Sequence, residues 1–135
     1  MEPIKPSDRL RVLAVDDDAD TRETIALLVR LQGHDARTAS DGPTALALAA
    51  RYRPNVILLD VAMPGMSGWA VARSLRGDPA TRHAYIVGVT GYARDLDRQR
   101  SLEAGCNDHW AKPFEGDQLA RLLEAMVGGQ SDQEV

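Results

Sequence analysis

A single cysteine, Cys106, means that no disulfide can close within the chain, and no Cys/His spacing of the kind that holds zinc is present. The thiol reads as a small buried side chain, compatible with a reducing cytoplasm. No run approaches the ~20 apolar residues needed to cross a bilayer. The opening segment, Met1 to Arg11, is polar and Pro-containing and lacks the apolar core of a secretory signal. No Lys/Arg cluster follows a helix face, and the net charge is −4 with a sequence pI near 5.3, so the electrostatic footprint of a nucleic-acid binder is missing. No repeat and no low-complexity tract occurs. These absences point to a soluble, cytoplasmic protein with neither DNA or RNA contacts nor membrane insertion. Its 135 residues suffice for one domain with a full hydrophobic core.

What the chain does contain is centred on Asn55 to Gly68. Val56, Ile57, Leu58 and Leu59 form an unbroken apolar run that stops at Asp60, before a loop holding Pro64, Gly65 and Gly68. Continuous rather than alternating hydrophobicity marks a strand covered on both faces, as in a parallel sheet with helices above and below. Asp60 then sits at the strand's carboxyl end, the edge at which open α/β sheets bind ligands.

Residues 1–9 read as a flexible leader and 10–127 as the domain. Leu10 to Val15 makes a first strand ending at Asp16, Asp17 and Asp18. Asp20 or Thr21 can cap the next helix, whose stripe of Ile25, Leu28, Val29 and Gln32 continues until Gly33. Asp35 to Ala39 is a short, charged strand that suits a sheet edge. Pro43 opens a second helix reaching Arg53, and Trp69 to Arg76 is helical until Gly77, Asp78 and Pro79 break it. Tyr85 to Val89 forms a fourth strand ending at Thr90. Arg94 to Ala104 is a charged helix stopped by Gly105, and Cys106 to Ala111 is a short strand running to Lys112 and Pro113. Leu119, Leu122, Leu123 and Met126 share one face of the last helix. Gly128 and Gly129 are expected to end it and to leave 128–135 as a disordered tail. Strands and helices thus alternate throughout, which calls for parallel strands joined by right-handed crossovers: a three-layer, doubly wound α/β sandwich.

Four strands end in chemically useful residues: Asp16 and Asp17, Asp60, Thr90, and Lys112. Each alone is an ordinary turn, cap or surface residue. Together they lie at carboxyl ends that the topology brings to one edge. Carboxylates packed side by side must hold protons or share a cation, and oxygen donors without His or Cys favour a hard ion such as Mg²⁺. A carboxylate beside Mg²⁺ can attack phosphorus to form an aspartyl phosphate, with the Lys112 ammonium and the Thr90 hydroxyl meeting phosphoryl oxygens. An EF-type calcium loop opening at Asp16, Asp18 and Asp20 fails, because its required Gly is Thr21 and its bidentate Glu is Leu27. Asp16 and Asp18 also resemble the paired aspartates of haloacid-dehalogenase-type phosphatases, a turnover alternative that would need Thr at Asp20 and usually an inserted cap.

From Arg11 to about Val127 the chain resembles the receiver domain of two-component response regulators. The features that carry this are the acidic run after the first strand, Asp60 followed at four residues by Pro64 with Gly65 and Gly68, Thr90, and Lys112-Pro113-Phe114. The resemblance implies a flavodoxin-like (βα)5 fold with a five-stranded parallel sheet in the order 2-1-3-4-5. It implies that Asp60 accepts a phosphoryl group from a histidine kinase or histidine phosphotransfer protein. Mg²⁺ would be held by Asp17 directly, by Asp16 largely through water, by Asp60 and by the Ala62 carbonyl. Thr90 and Lys112 would contact the phosphoryl group, and the bond before Pro113 would be cis. No enzyme activity is expected beyond self-catalysed phosphorylation and slow autodephosphorylation.

The family's switch draws Thr90 inward while an aromatic residue three positions before the Lys fills the vacated space. Here that position is His109, planar but polar and titratable; a merely exposed His is the alternative. Ala62 and Tyr92 flank the phosphoryl position and offer no carboxylate or amide to orient an attacking water, so a long-lived phosphoryl form is expected. The charged helix face from Arg94 to Glu103 would border the surface that signals to an unknown downstream protein, and Trp110 reads as core rather than interface anchor. The chain reads as a stand-alone receiver or as one cut from a hybrid histidine kinase. The complete residue set argues against a receiver that works without phosphate.

Overall fold

The apolar run at 56–59 lies at the centre of the sheet. The structure is a computed structural model that describes residues 8–91 and 95–133. Its elements in chain order are β1 (Arg11–Val15), α1 (Ala19–Leu31), β2 (Asp35–Ala39), α2 (Gly42–Tyr52), β3 (Val56–Asp60), α3 (Gly68–Gly77), β4 (Tyr85–Thr90), α4 (Asp95–Glu103), β5 (Asp108–Ala111) and α5 (Gly116–Gln133). All pairings are parallel, in the order β2-β1-β3-β4-β5. β3 is buried along its whole length, whereas the edge strand β2 alternates with exposed residues.

Strand residues alternate between two apolar layers, as the pleat requires. Leu13, Val15, Ile57, Leu59 and Ile86 pack against α2 and α3, and Val12, Ala14, Val56, Leu58 and Val87 pack against α1 and α5. Trp110 lies in the second layer at 6% exposure with its ring 5.2 Å from Phe114, so it is core. Cys106 is buried in the first layer.

Several boundaries differ from the sequence-based expectation. The cap of α1 is Asp18, not Asp20 or Thr21: its carboxylate accepts from the Thr21 N–H and hydroxyl, and Asp20 sits in the first turn beyond it. With three acidic residues in succession, the one whose backbone stays extended becomes the cap. β5 begins at Asp108 rather than Cys106. α5 does not stop at Gly128 but continues to Gln133, so the expected disordered tail is helical over most of its length. A glycine ends a helix when it turns left-handed, as Gly33 does at φ 90° after α1, and Gly128 is not among the positive-φ residues. A helical glycine costs about 1 kcal/mol, which an established helix tolerates. Residues 1–7 of the expected leader, Tyr92 and the expected helix start at Arg94 lie outside the described residues.

Candidate phosphoacceptor site

Register alone places the two central carboxylates side by side. β1 pairs Val15 with Leu59, so Asp16 and Asp60 each follow one member of an aligned pair. The ladder continues past the strands through hydrogen bonds from Asp16 N–H to the Ala39 carbonyl and from Val61 N–H to the Val89 carbonyl. Lys112 is brought in the same way: its N–H donates to the Thr90 carbonyl at 2.7 Å, directly after β5. The peptide bond between Lys112 and Pro113 is cis. At the far side of the loop, Gly68 N–H donates to the Val61 carbonyl, and a methyl at position 68 would lie on the Asp60 carbonyl oxygen and 2.6 Å from Val61 Cα. Only glycine lets α3 start so close under Asp60.

The side chains converge accordingly. Lys112 Nζ donates to Asp16 Oδ2 at 2.7 Å and lies 3.5 Å from Asp60 Oδ2. The other Asp16 oxygen accepts from Asp18 N–H at 2.9 Å, and Asp60 Oδ1 accepts from Ala62 N–H at 3.1 Å. Asp16 and Asp60 are 2% and 5% exposed, whereas Asp17 faces solvent. Carboxylate oxygens of Asp16, Asp17 and Asp60 lie within 4.8 Å of one another. Donors that are all oxygen, clustered at that spacing and open on the Asp17 side, fit a hard divalent cation.

Charge here is unevenly satisfied. Burial pushes the Asp60 carboxyl above its ordinary pKa, and the like charge of Asp16 adds to this; the Ala62 N–H and Lys112 oppose it without reversing it. Burial also works against the Lys112 ammonium, yet hydrogen bonding and attraction from Asp16 and Asp60 outweigh it and raise its pKa. An isolated ion pair would lower the acid's pKa. Asp60 moves the other way because burial acts on it most strongly, while Lys112 is shared and sits closer to Asp16.

Thr90 is buried at the end of β4, and His109 is buried at 6% exposure, which rules out the exposed alternative for that residue. Ala62 is exposed beside Asp60. Residues that the sequence reading did not single out also contribute. Arg22 on α1 reaches back to the Asp16 and Asp17 carbonyls at 3.4 and 3.5 Å, and Ser101, which accepts from Trp69 Nε1–H, is hydrogen-bonded to His109. An Arg one turn into the helix after an acidic run was a visible signal for the first; the others meet only through the fold. Beside Lys112 a groove of 460 Å³ opens between α1 and the segment that follows β5, lined chiefly by Thr21, Ile25, Leu28, Pro113 and Phe114. Among the described residues no helix is long and apolar enough to cross a membrane.

Known proteins share this arrangement. The sequence pattern described as the response regulator receiver domain matches residues 12–124. The chain is 44% identical over 117 residues to the response regulator PleD of Caulobacter vibrioides, covering 87% of this chain but 26% of PleD, so it spans about a quarter of that relative's length. Among solved structures, the chemotaxis protein CheY4 of Vibrio cholerae superposes with a TM-score of 0.81 at 30% identity, over 87% of this chain and 98% of CheY4. The receiver domain of sensor histidine kinase PA1611 from Pseudomonas aeruginosa, which has a magnesium ion coordinated in its active site cleft, gives 0.80 at 32% identity over 89% and 98%. With the parallel sheet order, the rim carboxylates and the lysine all accounted for, the chain belongs to the response regulator receiver domain family.

Proposed function

We propose that the protein is the phosphoacceptor of a two-component phosphorelay, with Asp60 as the acceptor. The observation that carries this reading is Lys112 Nζ placed between Asp16 and Asp60 at the sheet rim, with the Asp17 carboxylate alongside. Mg²⁺, held by Asp17, Asp60, the Ala62 carbonyl and, through water, Asp16, would supply charge neutralisation for the incoming phosphoryl oxygens. The other contributions come from the chain. Ala62 N–H fixes one Asp60 oxygen and leaves the second to attack phosphorus. The P–O bond to Asp60 forms as the P–N bond of a phosphohistidine donor breaks, and the donor imidazole leaves with a proton. Lys112 then exchanges its carboxylate partners for a phosphoryl oxygen, and the Thr90 hydroxyl meets another.

The phosphodonor is a histidine kinase or histidine phosphotransfer protein, seated on the groove between α1 and Phe114 that opens beside Lys112. Apolar walls beside Lys112 suit a protein partner better than a small charged metabolite. The phosphoryl group then changes a docking surface for a downstream protein. In this role the protein is not a turnover enzyme beyond its own phosphorylation and slow dephosphorylation, and a cytoplasmic location fits the need for a kinase. A receiver segment of a hybrid histidine kinase is the second reading, favoured by the likeness to the PA1611 receiver.

Incubation with a small phosphodonor such as acetyl phosphate and Mg²⁺ tests the assignment. Wild type should take up one phosphoryl group and Asp60→Asn none, with the fold intact by circular dichroism; phosphate retained on that variant would move the acceptor elsewhere. Ala62 gives an attacking water no base, so the phosphoryl form should be long-lived, and Ala62→Glu should shorten its half-life by about tenfold. An unchanged half-life would show that position 62 does not govern hydrolysis.

A further inference from the structure

α4 shows no buried apolar group among its described side chains. Among its described side chains only Ser101 is buried, and Arg98, Gln99, Arg100, Leu102 and Glu103 are exposed. Its attachment runs instead through a hydrogen-bonded chain across three elements. Trp69 Nε1, at the start of α3, donates to Ser101 Oγ at 2.8 Å, and Ser101 Oγ lies 2.7 Å from Nδ1 of His109 on β5. Arg100 stacks over the Trp69 ring at 5.6 Å and covers the outer end. Gly88 makes room for the chain: it pairs with His109 in register, and a methyl there would lie 3.0 Å from Ser101 Oγ.

The chemistry of the three groups gives the indole end of the chain a direction. An indole N–H can only donate, so Ser101 accepts at that end and has its own hydroxyl hydrogen to offer to Nδ1. The second lone pair of the hydroxyl also permits the opposite sense, Nδ1–H to Oγ; in the sense Trp69 to Ser101 to His109 the imidazole proton sits on Nε2. That atom is buried and has no hydrogen-bond partner among the described residues. Burial also holds the His109 pKa below its ordinary value, which keeps the ring neutral at neutral pH. His109 faces the same side of the sheet as Thr90, because its register partner Gly88 stands two residues before Thr90 on β4.

We propose that Ser101 is a positioning residue that holds His109 inward in its Nε2-protonated form in the unphosphorylated protein, and that phosphorylation moves α4 by breaking this Trp69–Ser101–His109 chain. The proposal rests on the phosphoacceptor reading of Asp60. A buried, unpaired N–H is unfavourable in the resting arrangement, so a rearrangement that gives it an acceptor is favoured by the same amount.

Long-range ¹H–¹⁵N correlation spectra of the full chain read the tautomer directly. Wild type without phosphoryl should show His109 protonated on Nε2 and accepting at Nδ1; protonation on Nδ1 would overturn the proposal without any variant being made. In Ser101→Ala, amide exchange along α4 should be about tenfold faster, the effect of losing one hydrogen bond. The further change in α4 on adding beryllofluoride and Mg²⁺ should shrink, and His109→Phe should behave alike. Unaltered α4 exchange in both variants would also overturn it. Phosphoryl uptake at Asp60 should survive in both, and its absence in wild type would instead refute the reading of function while leaving the tautomer result to stand.

Discussion

At the amino-terminal end of the sheet, polar groups find partners across the strands. Arg11 N–H donates to the Asn55 side chain and Ile86 N–H to the Asn107 side chain, so two asparagines extend the ladders beyond the strands. Leu10 N–H donates to Nδ1 of His34. Arg76 is spread over the Gly105, Arg82 and Ala84 carbonyls and the Asn107 amide oxygen, fixing the end of α3 to the start of β4 and the approach to β5. The carboxyl-terminal end does the opposite. It gathers Asp16, Asp17 and Asp60 around one shared lysine and buries a carboxyl whose pKa is raised. One end is built to hold the sheet together, and the other carries an electrostatic stress that a phosphoryl group and its metal can relieve. Local conflict of this kind is expected at functional sites and is tolerated when the rest of the fold is consistent.

The contrast breaks most visibly at Arg76. Arg76→Ala should lower unfolding free energy in urea by about 3 kcal/mol, because it strips four acceptors of a charged donor. A loss as small as that of a solvent-facing arginine would show that the stitching is ornamental. Asp60→Asn should have the reverse sign and a smaller size, raising the melting temperature by a few degrees. Mg²⁺ should raise it for wild type and do so less for the variant. If Asp60→Asn melted lower than wild type, the site would not be under stress.

Acid sharpens the comparison further, with the smallest effect. Burial depresses the His34 pKa below 6.5, so its contribution is intact above that pH and is lost as pH falls through the folded-state value. Asp60, with a raised pKa, pulls the other way: the folded state gains relative stability as that carboxyl protonates. Stability should therefore fall more steeply as pH drops below 6.5 in the Asp60→Asn background than in wild type. Identical slopes would mean that the two ends do not titrate in opposition.

Much of this was legible in the residues. The unbroken run before Asp60 placed β3 at the centre, and strands ending at Asp16, Thr90 and Lys112 were enough to predict one rim, because parallel topology leaves those ends no other place. What stayed hidden depended on distance or on ties between equals. Asp18 could not be told from Asp20 as a cap, since both carry the same side chain and only backbone angle separates them. Gly128 looked like a stop because composition does not reveal the sign of φ. The Arg76 anchor and the chain from Trp69 to His109 join residues as far as 31 and 32 positions apart through carbonyls and a single hydroxyl, which leave no periodicity to detect.

The way α4 is attached also governs what bulk measurements can see. Heat capacity and denaturant slope both scale with the apolar surface that unfolding exposes. The described side chains of α4 bury no apolar group and add little to either, so a break in the chain from Trp69 through Ser101 to His109 need not register in calorimetry or urea titration. It will show instead to probes that read individual amides.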